Sequence, residues 1–506
     1  NKHLTVLNEE LLNDLLLFCK LIHIFLCHKN ATTFPLFNLC CAQPLHLKTP
    51  FIMYKKIHLI SLFVLFGMFV TNCSSTKNIS SNAKTTFANA SMYEVNIRQF
   101  SPEGTFKQVE EQLPRLKSMG VGIVWLMPIH PIGEFNRKGA LGSYYSIKDY
   151  NAVNPEFGTM DDFKRLVKKC HDLGMFIIID WVANHSSCDN VWLKTHSDWY
   201  TKDKAGNFQP PVADWSDVYD LNYDNPDLQA AMVEAMKFWV TEADIDGFRC
   251  DVAEMVPDSF WKKARLALNT LNKPIFMLAE GEKPELHANG FDATYDWTLH
   301  HLINDVAQNK KTVVDLDSYF KTTATKYGKN DYRLQFTSNH DENSWNGTEY
   351  ERLGSGVKSF AILTATIPGM PLVYSGQESA LKKRLKFFEK DPIDWSDYSM
   401  QIFYTNLLQF KNNHKALWNG SAGGDLVRIN TTQDQKIFAF KRKKDNDEVV
   451  VMLNLSGDEV AVQFSNNAPS GSYYNAFGAK DAPAYNIDAK SNFILKPWGY
   501  VVLYKK

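Results

Sequence analysis

Met175-Phe176-Ile177-Ile178-Ile179-Asp180-Trp181-Val182-Ala183-Asn184-His185 is the stretch on which the fold turns. Four large apolar residues in a row, Phe176 to Ile179, leave no polar face for water. A strand of that kind is covered on both sides, as in a parallel sheet flanked by helices. Similar short apolar segments recur at Glu94–Phe100, Val121–Pro128, Gly247–Val252, Pro274–Glu280, Phe291–Asp296, Arg333–Asn339 and Pro371–Tyr374. Amphipathic stretches lie between them, for example Phe106–Met119, Met160–Leu173, Leu228–Ala243 and Asp258–Leu271. Strands alternating with crossover helices predict an α/β fold closed as a (β/α)8 TIM barrel over residues 92–414. A doubly wound open sheet is the alternative on pattern alone.

Two segments depart from this rhythm. His185 to Asn225 is rich in Trp, Asp, Asn and Pro without a helical period. It reads as a short inserted domain, about 186–225, on the barrel face where such folds build their sites. After residue 415 polar and apolar positions alternate in Asp425–Asn430, Lys436–Lys441, Glu448–Leu455, Val460–Phe464, Phe493–Leu495 and Tyr500–Tyr504. Period-2 patterning split by Asn, Asp and Gly turns predicts a C-terminal antiparallel β-sandwich over 415–506.

The 506 residues carry 55 basic and 56 acidic side chains. With no basic excess there is no electrostatic footprint for nucleic acid, and 44% hydrophobic residues exclude a disordered chain. The first methionine is Met53, followed by Lys55, Lys56 and an apolar run from Ile57 to Val70. That pattern predicts a signal peptide over 53–72, and the run is shorter than the roughly 20 residues of a spanning helix. Residues 1–52, with Cys19, Cys27, Cys40 and Cys41 at no metal-ligand spacing, read as an upstream non-native extension; a genuine extension is the alternative. Val70-Thr71-Asn72-Cys73 resembles a bacterial lipobox, with Asn72 where a small residue is usual. It implies a lipid on Cys73 and an exported, membrane-anchored lipoprotein at the cell surface or periplasmic face, a cleaved soluble exported protein being the alternative. Residues 73–91 read as a polar tether. Cys170, Cys188 and Cys250 are too few for a disulfide framework, and Cys170 and Cys250 sit in apolar segments suited to packing.

The chemistry lies where strands end. The third strand ends in Asp180-Trp-Val-Ala-Asn184-His185, the fourth in Gly247-Phe-Arg249-Cys-Asp251-Val-Ala-Glu254, the fifth in Met277-Leu-Ala-Glu280, and the seventh in Phe336-Thr-Ser-Asn339-His340-Asp341. In a barrel these ends converge, gathering Asp180, Asp251, Glu280 and Asp341 with Arg249, His185 and His340 around one pocket. Crowded carboxylates repel and raise one another's pKa, so such a set points to chemistry that needs it. Paired carboxyls suit glycoside hydrolysis. Each carboxylate alone could be a helix N-cap. A divalent-metal hydrolase would gather acids too, but with more histidines.

These four segments, in this order, resemble the conserved regions of the α-amylase family, glycoside hydrolase family 13. Gly142-Ser-Tyr-Tyr145-Ser-Ile-Lys-Asp149-Tyr150 and Val218-Tyr-Asp220-Leu-Asn222 resemble two further motifs of that family. The resemblance runs from about Met92 to the C-terminus. It implies Asp251 as the nucleophile, Glu280 as the general acid/base and Asp341 as a third carboxylate holding sugar hydroxyls. It further implies Arg249 beside the nucleophile, His185 and His340 on sugar hydroxyls, Asp180 in support, and Tyr145 stacked on the sugar; core packing is the other reading of Tyr145. Trp345 is expected in an aromatic wall of a leaving-group subsite or as a plain surface residue, and Trp199 and Trp215 carry the same two readings. Tyr374-Ser-Gly-Gln377-Glu378 matches the end of the eighth strand and reads as structural.

Where many family members have Lys-His, this chain has Glu254-Met255, so leaving-group contacts must differ and Glu254 becomes a candidate sugar-binding residue. Asn184 and Asp220 match two ligands of a structural calcium, both hard oxygen donors; hydrogen bonding within the loop is the alternative. No organic cofactor and no protein partner is readable. The expected activity is retaining hydrolysis of α-1,4-glucosidic bonds in starch, maltodextrins or related α-glucans. An α-1,6-glucosidase, neopullulanase or glucanotransferase, and an inactive glucan-binding protein, are the alternatives.

Overall fold

The computed structural model describes residues 86–479 and 482–506. The signal peptide, the lipobox cysteine Cys73 and the extension 1–52 lie outside the described residues. The barrel strands are β1 (Met92–Val95), β2 (Ile123–Leu126), β3 (Phe176–Trp181), β6 (Gly247–Cys250), β7 (Phe276–Ala279), β8 (Ala293–Tyr295), β9 (Tyr332–Gln335) and β10 (Met370–Tyr374). They close in the order β1-β10-β9-β8-β7-β6-β3-β2 with every neighbouring pair parallel. Between β3 and β6, β4 (His185–Ser187) and β5 (Val218–Asp220) pair antiparallel inside the insertion.

The two-residue period of a strand sorts side chains between inside and outside. Met92, Ile123, Trp125, Ile178, Phe276, Leu278, Tyr295, Met370 and Leu372 meet in the barrel interior. Their neighbours Tyr93, Val124, Ile177, Ile179 and Met277 join the larger cluster under the helices. The same parity carries Glu94, Asp180 and Glu280, each two residues beyond an interior apolar side chain, onto the inner side at the strand ends. Outside, the helix Met160–Asp172 shows why these segments are helical. Thr159 and Asp162 form a capping box, and Phe163, Leu166, Val167 and Cys170 repeat at helical spacing on the buried face.

Three boundaries differ from the sequence reading. The first strand spans Met92–Val95 rather than Glu94–Phe100, because Ile97–Phe100 forms a helical turn buried on all sides and such a turn shows no period. The tether ends before Phe87, since Phe87 is fully buried with its ring 4.7 Å from Phe176 and 5.0 Å from Phe276. It plugs the barrel end opposite the clustered carboxylates. In the C-terminal domain two strands unread from sequence, β15 (Gly471–Asn475) and β16 (Tyr485–Ile487), join β11 (Asp425–Thr431), β12 (Ile437–Lys444), β13 (Asp447–Asn454), β14 (Val460–Asn466), β17 (Asn492–Leu495) and β18 (Tyr500–Tyr504).

These eight strands form one antiparallel sheet in the order β16-β15-β18-β13-β12-β11-β14-β17. Ile487 and Leu495, from its two ends, share an apolar core with Ile437, Val450, Met452 and Leu503, which is sandwich packing. The opposite faces, through Phe438, Phe440, Val449 and Val451, join the barrel's outer core. Among the described residues no helix is long and apolar enough to cross a membrane.

Candidate active site

Arg249 on β6 is the centre of the site. Its side chain is fully buried, and Nη1 donates to Asp251 Oδ1 at 2.7 Å and to Asp180 Oδ1 at 2.9 Å. Nη2 comes within 3.0 Å of Glu280 Oε2, an ion-pair distance without a hydrogen bond's alignment. Nε donates to the Tyr295 hydroxyl at 3.1 Å. The sequence reading paired Arg249 with Asp251 alone; it serves three carboxylates from three strands. Burial raises all three carboxyls above their ordinary range, Asp180 to about 7, and Arg249 opposes the rise in each.

Removing this cation would strand three buried acids. Arg249→Met is expected to lower stability by about 3–5 kcal/mol. The remaining carboxyls would then be raised further in the folded state, which would bind more protons than the unfolded chain, so stability falls with rising pH. Urea unfolding should show a larger loss at pH 8 than at pH 5; an equal loss would mean that Arg249 does not compensate these charges.

His340 organises the other wall. Burial disfavours its charge, but Asp341 and Glu94 outweigh burial and push its pKa up to about 9. Protonated on both ring nitrogens, it donates from Nδ1 to Glu94 and from Nε2 to the Tyr145 hydroxyl at 2.7 Å. Tyr145 in turn donates to Asp180 Oδ2 at 3.0 Å. His340 Nε2 also lies 3.3 Å from Asp341 Oδ2, on a side chain 36% exposed. Tyr145 stacks on His340 at 5.4 Å. It thus lines the pocket and also links the two walls. Glu94 was missed from sequence because the first strand was set two residues late.

Two backbone features position the carboxylates. Val252, directly after Asp251, has φ +35° and ψ +47°, a left-handed conformation that a β-branched residue adopts at a cost of roughly 1–3 kcal/mol. In that conformation its N–H donates to Glu280 Oε2 at 2.7 Å. After Asp341, residues Glu342–Asn346 form a π-helical turn, a form frequent at functional sites. It carries Trp345 to the pocket rim, 53% exposed.

Two cavities meet at Val252 and Glu280. One, of about 410 Å³, is lined by Tyr145, His185, Trp215, Asp251, His340, Asp341 and Trp345. The other, of about 540 Å³, is lined by Glu254, Met255, Lys283, Trp297 and Lys326. Trp345, expected in an aromatic wall or as a plain surface residue, stands at the rim of the chamber with Asp341. His185 is held neutral by burial, its pKa lowered to about 4, with its ring 5.2 Å from Trp215. Trp199 is buried against Trp192 and His196 inside the insertion, so of the three insertion tryptophans Trp215 is the one lining the pocket. Glu254 Oε1 accepts the backbone N–H groups of Glu282 and Lys283, which ties one carboxylate oxygen to the loop after β7. Gln377 and Glu378 are buried in bonds to Tyr374, Tyr93 and Arg115, a structural role.

Asn184 and Asp220 each make a side-chain hydrogen bond close by. Asp220 Oδ2 accepts the Thr201 hydroxyl at 2.6 Å, and the Asn184 amide faces His185 Nδ1 at 3.3 Å. Among the described residues no group of three or more His, Cys, Asp or Glu is placed to hold a metal; the amide and backbone carbonyl oxygens that calcium also takes stand outside that set.

A family model described as the alpha-amylase catalytic domain matches residues 75–449. The chain belongs to the alpha-amylase family. It is an enzyme, a glycoside hydrolase of that family. An alpha-amylase from Lactobacillus plantarum is 30% identical and superposes with a TM-score of 0.74 over 83% of this chain and 100% of that one. A noncanonic maltogenic alpha-amylase AmyB from Thermotoga neapolitana is 29% identical, with a TM-score of 0.75 over 83% and 99% of the two chains. Alpha-amylase MalA of Haloarcula japonica is 26% identical over 79% of this chain, a match that spans 61% of the relative's length. In this alpha-amylase family member the polar partners that sequence reasoning missed are Glu94 and Tyr295, on β1 and β8, two strands that carry none of the recognised motifs.

Proposed function

We propose that the chain hydrolyses α-1,4-glucosidic bonds of starch, maltodextrins or related α-glucans with retention of anomeric configuration. The observation that carries this reading is one guanidinium, Arg249, within 2.7 Å of Asp251 and 3.0 Å of Glu280. Two carboxyls sharing one guanidinium suit the nucleophile and acid of a retaining enzyme, in which such a pair stands about 5–5.5 Å apart.

In the first step Asp251 attacks the anomeric carbon through Oδ2, since Arg249 holds Oδ1. The bond from that carbon to the glycosidic oxygen breaks, and Glu280 gives its proton to the departing oxygen. A β-linked glycosyl-Asp251 ester remains. In the second step the Glu280 carboxylate takes a proton from water, the water oxygen attacks the same carbon from the vacated side, and Asp251 is released as a carboxylate. Arg249 favours the ionised Asp251, burial favours the protonated Glu280, and Asp341 with His340 and Tyr145 hold the sugar's hydroxyls.

Maltoheptaose, pullulan and panose are the discriminating substrates. Short α-anomeric maltooligosaccharides from maltoheptaose support the reading. Cleavage of α-1,6 links in panose, or products longer than the substrate, would replace it by a debranching or transfer activity. The pattern from Met53 to Cys73 supports export as a lipoprotein; a lipid found on Cys73 by mass spectrometry of the mature protein would establish it, and an unmodified Cys73 would remove it.

A further inference from the structure

The two cavities that meet at Glu280 are built differently. On the Asp251 side the chamber is walled by three segments tied together. The loop after β2 leans on the loop after β10: Ala140 N–H donates to Glu389 Oε1 and Leu141 N–H to the Phe388 carbonyl, both at 3.0 Å. Gly139, at φ +64°, touches Phe388 so closely that an added Cβ would stand 2.5 Å from the Phe388 Cβ, so only glycine fits there. From the same loop Lys138 crosses to the insertion, donating to the Asp214 carbonyl at 2.7 Å and pairing with Asp217 at 3.1 Å. Lys138, Asp217, Phe387 and Phe388 all line the chamber. On the Glu280 side Glu254 ties the end of β6 to the neighbouring loop after β7, with Lys283 Nζ 3.5 Å from its other oxygen, but the cavity runs on, sharing Glu282 and Lys326 with a further cavity of about 330 Å³.

We propose that the Lys138–Asp217 bridge closes the chamber into a blind end that takes the non-reducing end of a linear α-glucan. The inference rests on the reading that Asp251 and Glu280 cleave such chains. The sugar attacked by Asp251 belongs to the part of the substrate carrying the non-reducing end, while the leaving chain departs on the Glu280 side. A blind chamber therefore admits only a short non-reducing segment, and the open side accommodates the long remainder. The enzyme then releases short maltooligosaccharides from chain ends, and Lys138 is a specificity-determining residue.

The test compares nitrophenyl maltoheptaoside with the same chain capped at its non-reducing end by an ethylidene group, following consumption of each by chromatography. Wild-type protein is expected to consume the capped chain about tenfold or more slowly than the open one. In Lys138→Ala and in Asp217→Asn the capped-to-open ratio should rise toward unity, with longer products, while Lys138→Arg keeps the wild-type ratio. Equal consumption of both chains by the wild type, or an unchanged ratio in folded Lys138→Ala and Asp217→Asn, overturns the inference. No consumption of the open chain by the wild type would instead overturn the activity reading on which it rests.

Discussion

Asp251→Asn is expected to abolish turnover of maltoheptaose, lowering kcat by about 10⁴-fold or more. The amide has the carboxylate's shape and can still accept from Arg249 Nη1, now 2.7 Å from Asp251 Oδ1, so the barrel should fold and bind substrate. What it lacks is the anionic oxygen that forms the ester. Asp251→Gly with added azide extends the test, because azide entering the vacated space attacks from the face Asp251 occupied and yields a β-glycosyl azide. A variant within tenfold of wild type would shift the nucleophile to Asp341 or Asp180, which share the pocket.

Glu280→Ala should have the second-largest effect, and one that depends on the leaving group. With maltoheptaose the departing oxygen needs a proton, so kcat should fall about 10²–10⁴-fold. With α-maltosyl fluoride the first step needs none, the ester accumulates, and azide should speed its breakdown to an α-glycosyl azide. The pH profile follows from the same group. Burial raises the Glu280 carboxyl, with Arg249 opposing the rise and Asp251 adding to it. It therefore stays protonated above the ordinary carboxylate range, near 4.3 for Glu. Activity is lost on the alkaline side as pH rises through the Glu280 pKa. It is lost on the acid side as pH falls through that of Asp251, also raised by burial. In Glu280→Ala assayed on the fluoride the alkaline limb should disappear. An unchanged limb would assign it to another group.

Most of the barrel could be read because its strands are covered on both faces, so runs such as Phe176–Ile179 announce themselves. The carboxylates were legible for a related reason: a strand's end in a barrel has one destination, and Asp180, Asp251, Glu280 and Asp341 all arrive there. What escaped was local. The turn Ile97–Phe100 is buried all round, carries no period, and displaced the first strand, hiding Glu94 behind it. The tyrosine-rich strand Gly471–Asn475 is only partly buried, so its alternation is faint. Arg249's threefold role was invisible because it depends on strand order, β3 and β7 flanking β6. The Lys138 bridge depends on how two loops meet, which neither loop's composition records. Glu254, expected to face sugar, lines the second cavity and has one oxygen tied to the backbone N–H groups of Glu282 and Lys283, a tie that depends on how two strand ends meet.

The most direct test of a covalent mechanism at Asp251 is to catch the ester. Protein beginning after Cys73 would be incubated with 5-fluoro-α-maltosyl fluoride, digested with pepsin at low pH and analysed by mass spectrometry. One glycosyl group per chain, on the peptide containing Arg249-Cys250-Asp251-Val252 and localised to Asp251, is the expected result. Turnover that proceeds with inversion and leaves no label, or a label on Asp341 or Asp180, would contradict it.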